Sequence, residues 1–250
     1  MPRSSKKFTK QTVSPAIQKR WVQWLHAPVN QKPARVPTFT DDVNWRIFRI
    51  MAEFIEGFEF LSKLKNEVTI FGSARCKPSS KHYKSARELG RLLAKGGYAV
   101  ITGGGPGIME AANRGAFEHK GESVGLDIEL PKGQRANPYV THGIGFHYFF
   151  SRKVMLSASA QAYVFFPGGF GTLDEMTEML TLIQTQKIPR NVPLILVDRA
   201  FWQPFLDWVN TTLLKEHHHV DPAEVRIIRV VDTPAEVMEI INQTSERPFG

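Results

Sequence analysis

Nine consecutive residues, Pro167-Gly168-Gly169-Phe170-Gly171-Thr172-Leu173-Asp174-Glu175, combine an anion cradle with a carboxylate. The apolar run Ala162-Tyr163-Val164-Phe165-Phe166 before them reads as a buried strand, and the periodic segment Met176 to Gln186 after them reads as a helix. Glycines between a strand and a helix start let backbone amides approach a phosphate, and the helix dipole favours negative charge there. Glu175 is expected in the first turn of that helix, beside the anion. A carboxylate next to a phosphate cradle opposes simple binding, so its presence points to chemistry.

A second turn of the same kind, Thr102-Gly103-Gly104-Gly105-Pro106-Gly107-Ile108-Met109-Glu110, follows the strand-like Tyr98-Ala99-Val100-Ile101 and opens another helix. Two such turns at the carboxyl ends of strands converge on one edge of a parallel sheet, where open α/β folds bind ligands. Neither continues into the Gly-Lys-Ser/Thr of a Walker A loop, and neither has the spacing of a dinucleotide turn. A third charged feature lies in the apolar, aromatic segment from about Phe146 to Ser159, which reads as a helix carrying Arg152 and Lys153. Neighbours on a helix diverge by about 100°, so both can reach solvent or one can face inward. An inward arginine would be a bidentate partner for an anion or a leaving group.

The elements that must position these groups alternate along the chain. Strands are expected at 68–71, 98–101, 124–128, 162–166, 192–197 and 226–231, with helices near 81–95, 108–118, 146–159, 176–186, 201–216 and from Pro234. Pro131 and a loop rich in Gly, Asn and Pro follow the third strand. This alternation means βαβ units, a parallel sheet and right-handed crossovers. Ahead of them, Asp41 or Asp42 caps a predicted helix to about Lys65. Its Ile47, Phe48, Met51, Phe54, Ile55, Phe58, Leu61 and Leu64 form one apolar stripe that needs the body or a partner chain to cover it.

Composition narrows the partners. The chain has 250 residues, 42% of them apolar, which is ample for a core, and a formal charge of +8. Residues 1–40 contain eight Lys or Arg and no acid, so residues 41–250 are balanced. That distribution disfavours nucleic acid as the body's partner and makes 1–40 read as a flexible basic extension. A lone cysteine, Cys76, excludes an intrachain disulfide and suits a reducing compartment. No apolar run approaches a membrane span, so a soluble, cytoplasmic protein is expected. His217-His218-His219, just before Asp221-Pro222, reads as an exposed helix end rather than a metal site.

Together, the 103–113 turn, Arg152-Lys153 and the 167–175 turn resemble the LOG family, over roughly residues 67–243. Members of that family, long labelled lysine decarboxylases, look like phosphoribohydrolases that release a free base from a nucleoside 5′-monophosphate. The resemblance implies a modified Rossmann fold, a doubly wound, mostly parallel sheet with flanking helices, here with an extra N-terminal helix. The domain plan becomes 1–40, an extension; 41–66, the helix; and 67–250, the Rossmann domain. By motif, Glu175 matches the catalytic carboxylate and Arg152 the catalytic arginine. Gly168, Gly169, Gly171 and Thr172 match the phosphate loop, and Gly104, Gly105 and Gly107 the other wall of the pocket. Lys153 and Thr181 match substrate-contacting positions. A homodimer or larger homo-oligomer is implied, with no metal or organic cofactor, and nothing suggests the Lys–pyridoxal chemistry a decarboxylase needs. Phe149-Phe150-Ser151 precede Arg152 where short plant-type members commonly have Met-His, and Met155 follows it by three residues rather than four. These departures resemble the longer bacterial-type subgroup and place AMP beside cytokinin precursors as substrate. The competing reading is a carrier of a phosphorylated cofactor such as the molybdenum cofactor, which would not need the carboxylate.

Overall fold

A computed structural model describes residues 43–129, 136–158 and 160–247. The basic extension and the Asp41 or Asp42 cap therefore lie outside the described residues. In chain order the elements are α1 (Val43–Leu61), β1 (Glu67–Phe71), α2 (Lys81–Lys95), β2 (Ala99–Thr102), α3 (Ile108–Glu118), β3 (Ser123–Ile128) and β4 (His142–Phe146). Then come α4 (Phe149–Ala158), β5 (Ala162–Phe165), α5 (Phe170–Gln184), β6 (Leu194–Val197), α6 (Arg199–Trp208), α7 (Pro222–Val225), β7 (Ile228–Val231) and α8 (Pro234–Ile241). Helix α6 continues as π-helical turns over Val209–Glu216.

The seven strands form one sheet in the order β4-β3-β2-β1-β5-β6-β7, with every pairing parallel. Both faces are covered, which is why the inner strands β1, β2, β5 and β6 are buried along their whole length and mostly apolar rather than alternating. Successive side chains still feed different cores. Phe71, Tyr163, Phe165, Leu194 and Leu196 join one core with Leu61, Met155, Met176 and Trp202. Val68, Ile70, Val164, Ile195 and Val197 join the other with Leu89, Ile108 and Val237. From β1 the chain winds outward through β2, β3 and β4, then returns to β5 on the other side of β1. Loops after β1 and β5 diverge at that reversal, and a crevice opens at the carboxyl edge.

Two expectations are corrected, and a third is narrowed. Strand β4 occupies part of the stretch read as loop, and its last residue, Phe146, is the expected helix start; α4 begins at Phe149. Its sequence, His-Gly-Ile-Gly-Phe, carries two glycines and sits at the sheet edge, so it lacks the apolar run that marks the inner strands. Helix α5 starts at Phe170, six residues before Met176, because a glycine-containing first turn hides its periodicity. On α1 the buried positions are Glu53, Gly57 and Leu61, whereas Ile47, Phe48, Met51, Ile55 and Phe58 of the expected stripe are exposed. Among the described residues, no helix is long and apolar enough to cross a membrane.

Candidate active site

The second glycine turn and α5 are one structure. Gly169, in an extended conformation, is the N-cap of α5, and no side chain caps the helix. The amides of the first turn are left for an external acceptor, reinforced by the helix dipole. A Cβ on Gly168 would lie 2.0 Å from Thr172 Oγ1, so the turn closes on its own threonine. At Gly169 and Gly171 a Cβ would meet nothing within 4 Å; both glycines line an open cavity with Phe170, Thr172 and Glu175. Glu175 is therefore in the second turn of α5, not the first.

The first glycine turn behaves differently. Gly104 and Gly107 adopt φ of +69° and +73°, and a Cβ on Gly107 would lie 2.3 Å from the Ser73 carbonyl oxygen. That carbonyl accepts from Ile108 N–H at 3.1 Å, so the start of α3 is occupied by the loop after β1. Beneath the turn, buried Asn113 accepts from Thr102 Oγ1 at 2.6 Å and from Asn137 Nδ2 at 3.0 Å, and donates to Ser123 Oγ at 2.9 Å. Asn137 Nδ2 also donates to the Gly104 and Gly105 carbonyls, both at 3.1 Å. Of the glycines of this turn Gly103 lines the cavity; the expected wall residues Gly104, Gly105 and Gly107 lie behind it.

The cavity, of about 620 Å³, is closed on its other side by Gly72, Ser73, Ala74 and Arg75 after β1, and by Met109, Phe149 and Leu156. Ser73 N–H donates to the Pro167 carbonyl at 3.1 Å, which ties the β1 loop to the phosphate turn. Residues 72–75 carry no glycine-rich or charged pattern comparable to the other two turns, and nothing in their types assigns them to the site. No signal in the residues marked this loop, because the reversal of winding at β1 appears only once the strand order is known.

Arg152 and Glu175 meet in this cavity. Arg152 points inward from α4, donating through Nε to the Leu126 carbonyl at 2.7 Å and through its terminal nitrogen to the Gly103 carbonyl at 3.4 Å. Burial disfavours its charge, which Glu175 and then Asp127 offset. Glu175 is 9% exposed, and its Oε2 has no hydrogen-bond partner among the described residues. Burial pushes its carboxyl up to about 7, with Arg152 and Lys153 opposing the rise and Glu178 and Asp174 adding to it. A carboxyl ionising near neutrality beside a fixed cation is suited to proton transfer.

Lys153 faces the other way. Its Nζ lies 2.9 Å from both Asp174 Oδ2 and Glu178 Oε2 of α5, outside the cavity. Thr181 shares that shallow depression with Lys153 and donates to the Thr177 carbonyl at 2.8 Å. Neither residue lines the cavity that Arg152 and Glu175 share, although the Lys153 charge is felt at Glu175. Among the described residues, no group of three or more His, Cys, Asp or Glu could hold a metal ion. His217 ends the π-helical turns, its ring stacked on His219 at 5.4 Å.

Comparison with known proteins adds an independent line. A family model described as "Possible lysine decarboxylase" matches residues 109–241, more than half of the chain. The cytokinin riboside 5′-monophosphate phosphoribohydrolase LOG of Oryza sativa subsp. japonica is 29% identical over 154 residues, 60% of this chain and 62% of that protein. The match thus spans less than two thirds of the rice protein. An X-ray structure of the structural-genomics target TM1055 has a TM-score of 0.55 and 28% identity, covering 71% of this chain and 99% of that one. The molybdenum cofactor carrier protein of Chlamydomonas reinhardtii has a TM-score of 0.52 at 20% identity, covering 72% of this chain and 98% of its own, a likeness of fold alone.

Proposed function

This chain belongs to the LOG family, the one whose model is described as possible lysine decarboxylase, and on that premise we propose that it hydrolyses the N-glycosidic bond of nucleoside 5′-monophosphates. The products are a free base and ribose 5-phosphate, and AMP and cytokinin riboside 5′-monophosphates are the proposed substrates. The observation that carries the reading is Glu175: a buried carboxyl ionising near pH 7, one oxygen without a hydrogen-bond partner among the described residues, on the wall of a cavity floored by a helix N-terminus.

In this reading the 5′-phosphate sits on the free amides from Gly169 to Thr172. Binding energy gathered there, remote from the scissile bond, holds the ribose against Glu175. Cleavage of the C1′–N bond develops positive charge on the ribose, as in glycoside hydrolysis. Ionised Glu175 stabilises that charge and removes a proton from the attacking water as the C1′–N bond breaks. Arg152 steadies the departing base, and the base takes up the released proton so that it leaves neutral and Glu175 is again ionised. Exposed Phe149, Phe150, Val154 and Phe170 at and near the mouth support the homo-oligomer that the resemblance implies, with a second copy covering the opening.

A carrier of a phosphorylated cofactor is the second reading, favoured by the shared fold of the algal carrier protein. Incubating the protein with AMP, GMP, CMP, UMP, isopentenyladenosine monophosphate and the corresponding nucleosides, and following free base by chromatography, separates the two. Base release from monophosphates and not from nucleosides is expected. Binding without release from any of them would overturn the hydrolase reading.

A further inference from the structure

Helix α1 lies outside the segment matched by the family model, yet it reaches the site through one buried side chain. Glu53 is 7% exposed, and its carboxylate accepts from His147 N–H at 2.9 Å, from Tyr148 N–H at 3.4 Å and from the Ser151 hydroxyl. These donors stand at the start of α4, whose own first turn contains no acidic residue. Glu53 therefore supplies from another helix the N-terminal acceptor that α4 lacks. One turn further along both helices, Gly57 packs on Met155 so closely that a Cβ would lie 2.6 Å from the sulfur. The two contacts fix the translation and rotation of α4 against α1. Arg152 directly follows Ser151, and its guanidinium reaches the cavity by bonds to Leu126 and Gly103 that need α4 in this one setting.

We infer that Glu53 is a positioning residue for Arg152, which makes α1 part of the working site rather than an appendage. It acts through α4 and touches no substrate. The inference rests on the reading of Arg152 and Glu175 as the reacting pair, but its test does not depend on turnover. If the Glu53 cap holds Arg152 beside Glu175, removing the cap withdraws a cation that favours the ionised Glu175 carboxylate. The charges facing that carboxylate are Arg152 and Lys153 from α4 and Asp174 and Glu178 from α5. Only Arg152 hangs directly on the capped turn without a carboxylate ion pair of its own; Lys153 stays tethered to α5 by two ion pairs.

The experiment is a carbon-13 titration of the Glu175 carboxyl, assigned with Glu175→Gln, in the full chain and in its Glu53→Gln variant. The titration midpoint is expected to rise by about half a pH unit or more in the variant, and kcat for AMP hydrolysis to fall about tenfold with KM nearly unchanged. General loosening of the fold would lower the melting temperature without moving the midpoint. Should Glu53→Gln not fold, Ser151→Ala removes one of the three bonds and is expected to move the midpoint the same way by less. An unchanged midpoint in a folded variant overturns the inference. Absence of turnover in the unmodified chain would instead overturn the proposed reaction, with the titration still deciding whether Glu53 positions Arg152.

Discussion

The two glycine turns look alike as sequence and do opposite work. At 103–107 the glycines are spent on the backbone: Gly104 and Gly107 hold left-handed φ, and Gly107 has a carbonyl oxygen where a side chain would begin. The helix start they open, α3, is occupied by the Ser73 carbonyl. At 167–171 the backbone of Gly169 is extended, an ordinary conformation, and the space in front of Gly169 and Gly171 is empty. There glycine leaves room for a ligand. A glycine-rich turn at a strand's carboxyl end is thus two kinds of object, told apart by whether its missing Cβ would strike protein or open space.

Substitutions can break or sharpen that contrast. The largest effect is expected from Gly107→Ala, which combines a strained φ with a Cβ 2.3 Å from the Ser73 oxygen. A loss of at least about 3 kcal/mol in denaturant unfolding is predicted, and a stability within 1 kcal/mol of the unmodified chain would refute the structural assignment of that turn. Gly171→Ala should do the reverse. Its Cβ enters open space in the first turn of α5, so stability should be unchanged or up to about 1 kcal/mol higher. Substrate KM should rise about tenfold, because the methyl stands where the phosphate would sit. Equal KM values for the two chains would mean that the phosphate lies elsewhere.

Much of this arrangement was legible in the residues. The parallel alternation followed from short apolar strands separated by helical periodicity, whereas the aromatic helix left open whether either of its two cations faces inward, and only the resemblance pointed to Arg152. What failed has physical causes. Strand β4 is a glycine-bearing edge strand whose pairing depends on β3, a partner 14 residues or more away in sequence. The early start of α5 is set by the turn rather than by propensity. Lys153 and Thr181 line a neighbouring depression that shares Asp174 with the cavity, a placement that spacing alone does not show. Glu53 was invisible because a carboxylate on an amphipathic helix reads as solvated until the helix it caps is in place.

The most informative chemical effect belongs to Glu175→Gln, whose effect on stability depends on pH. Because burial raises the folded carboxyl to about 7, above its ordinary value of 4.5, the folded state holds more protons than the unfolded chain between those values. Glu175 therefore costs stability as pH rises through that window, and the cost persists above it. The variant should gain up to about 3 kcal/mol at pH 8 and nothing at pH 4. The same variant gives the measurement that bears most directly on the central claim: AMP turnover and AMP binding, side by side, in the unmodified chain and in Glu175→Gln. The account predicts base release by the unmodified chain, a loss of at least about a thousandfold in the variant, and nucleotide affinity retained or improved. Turnover that survives the substitution would contradict it.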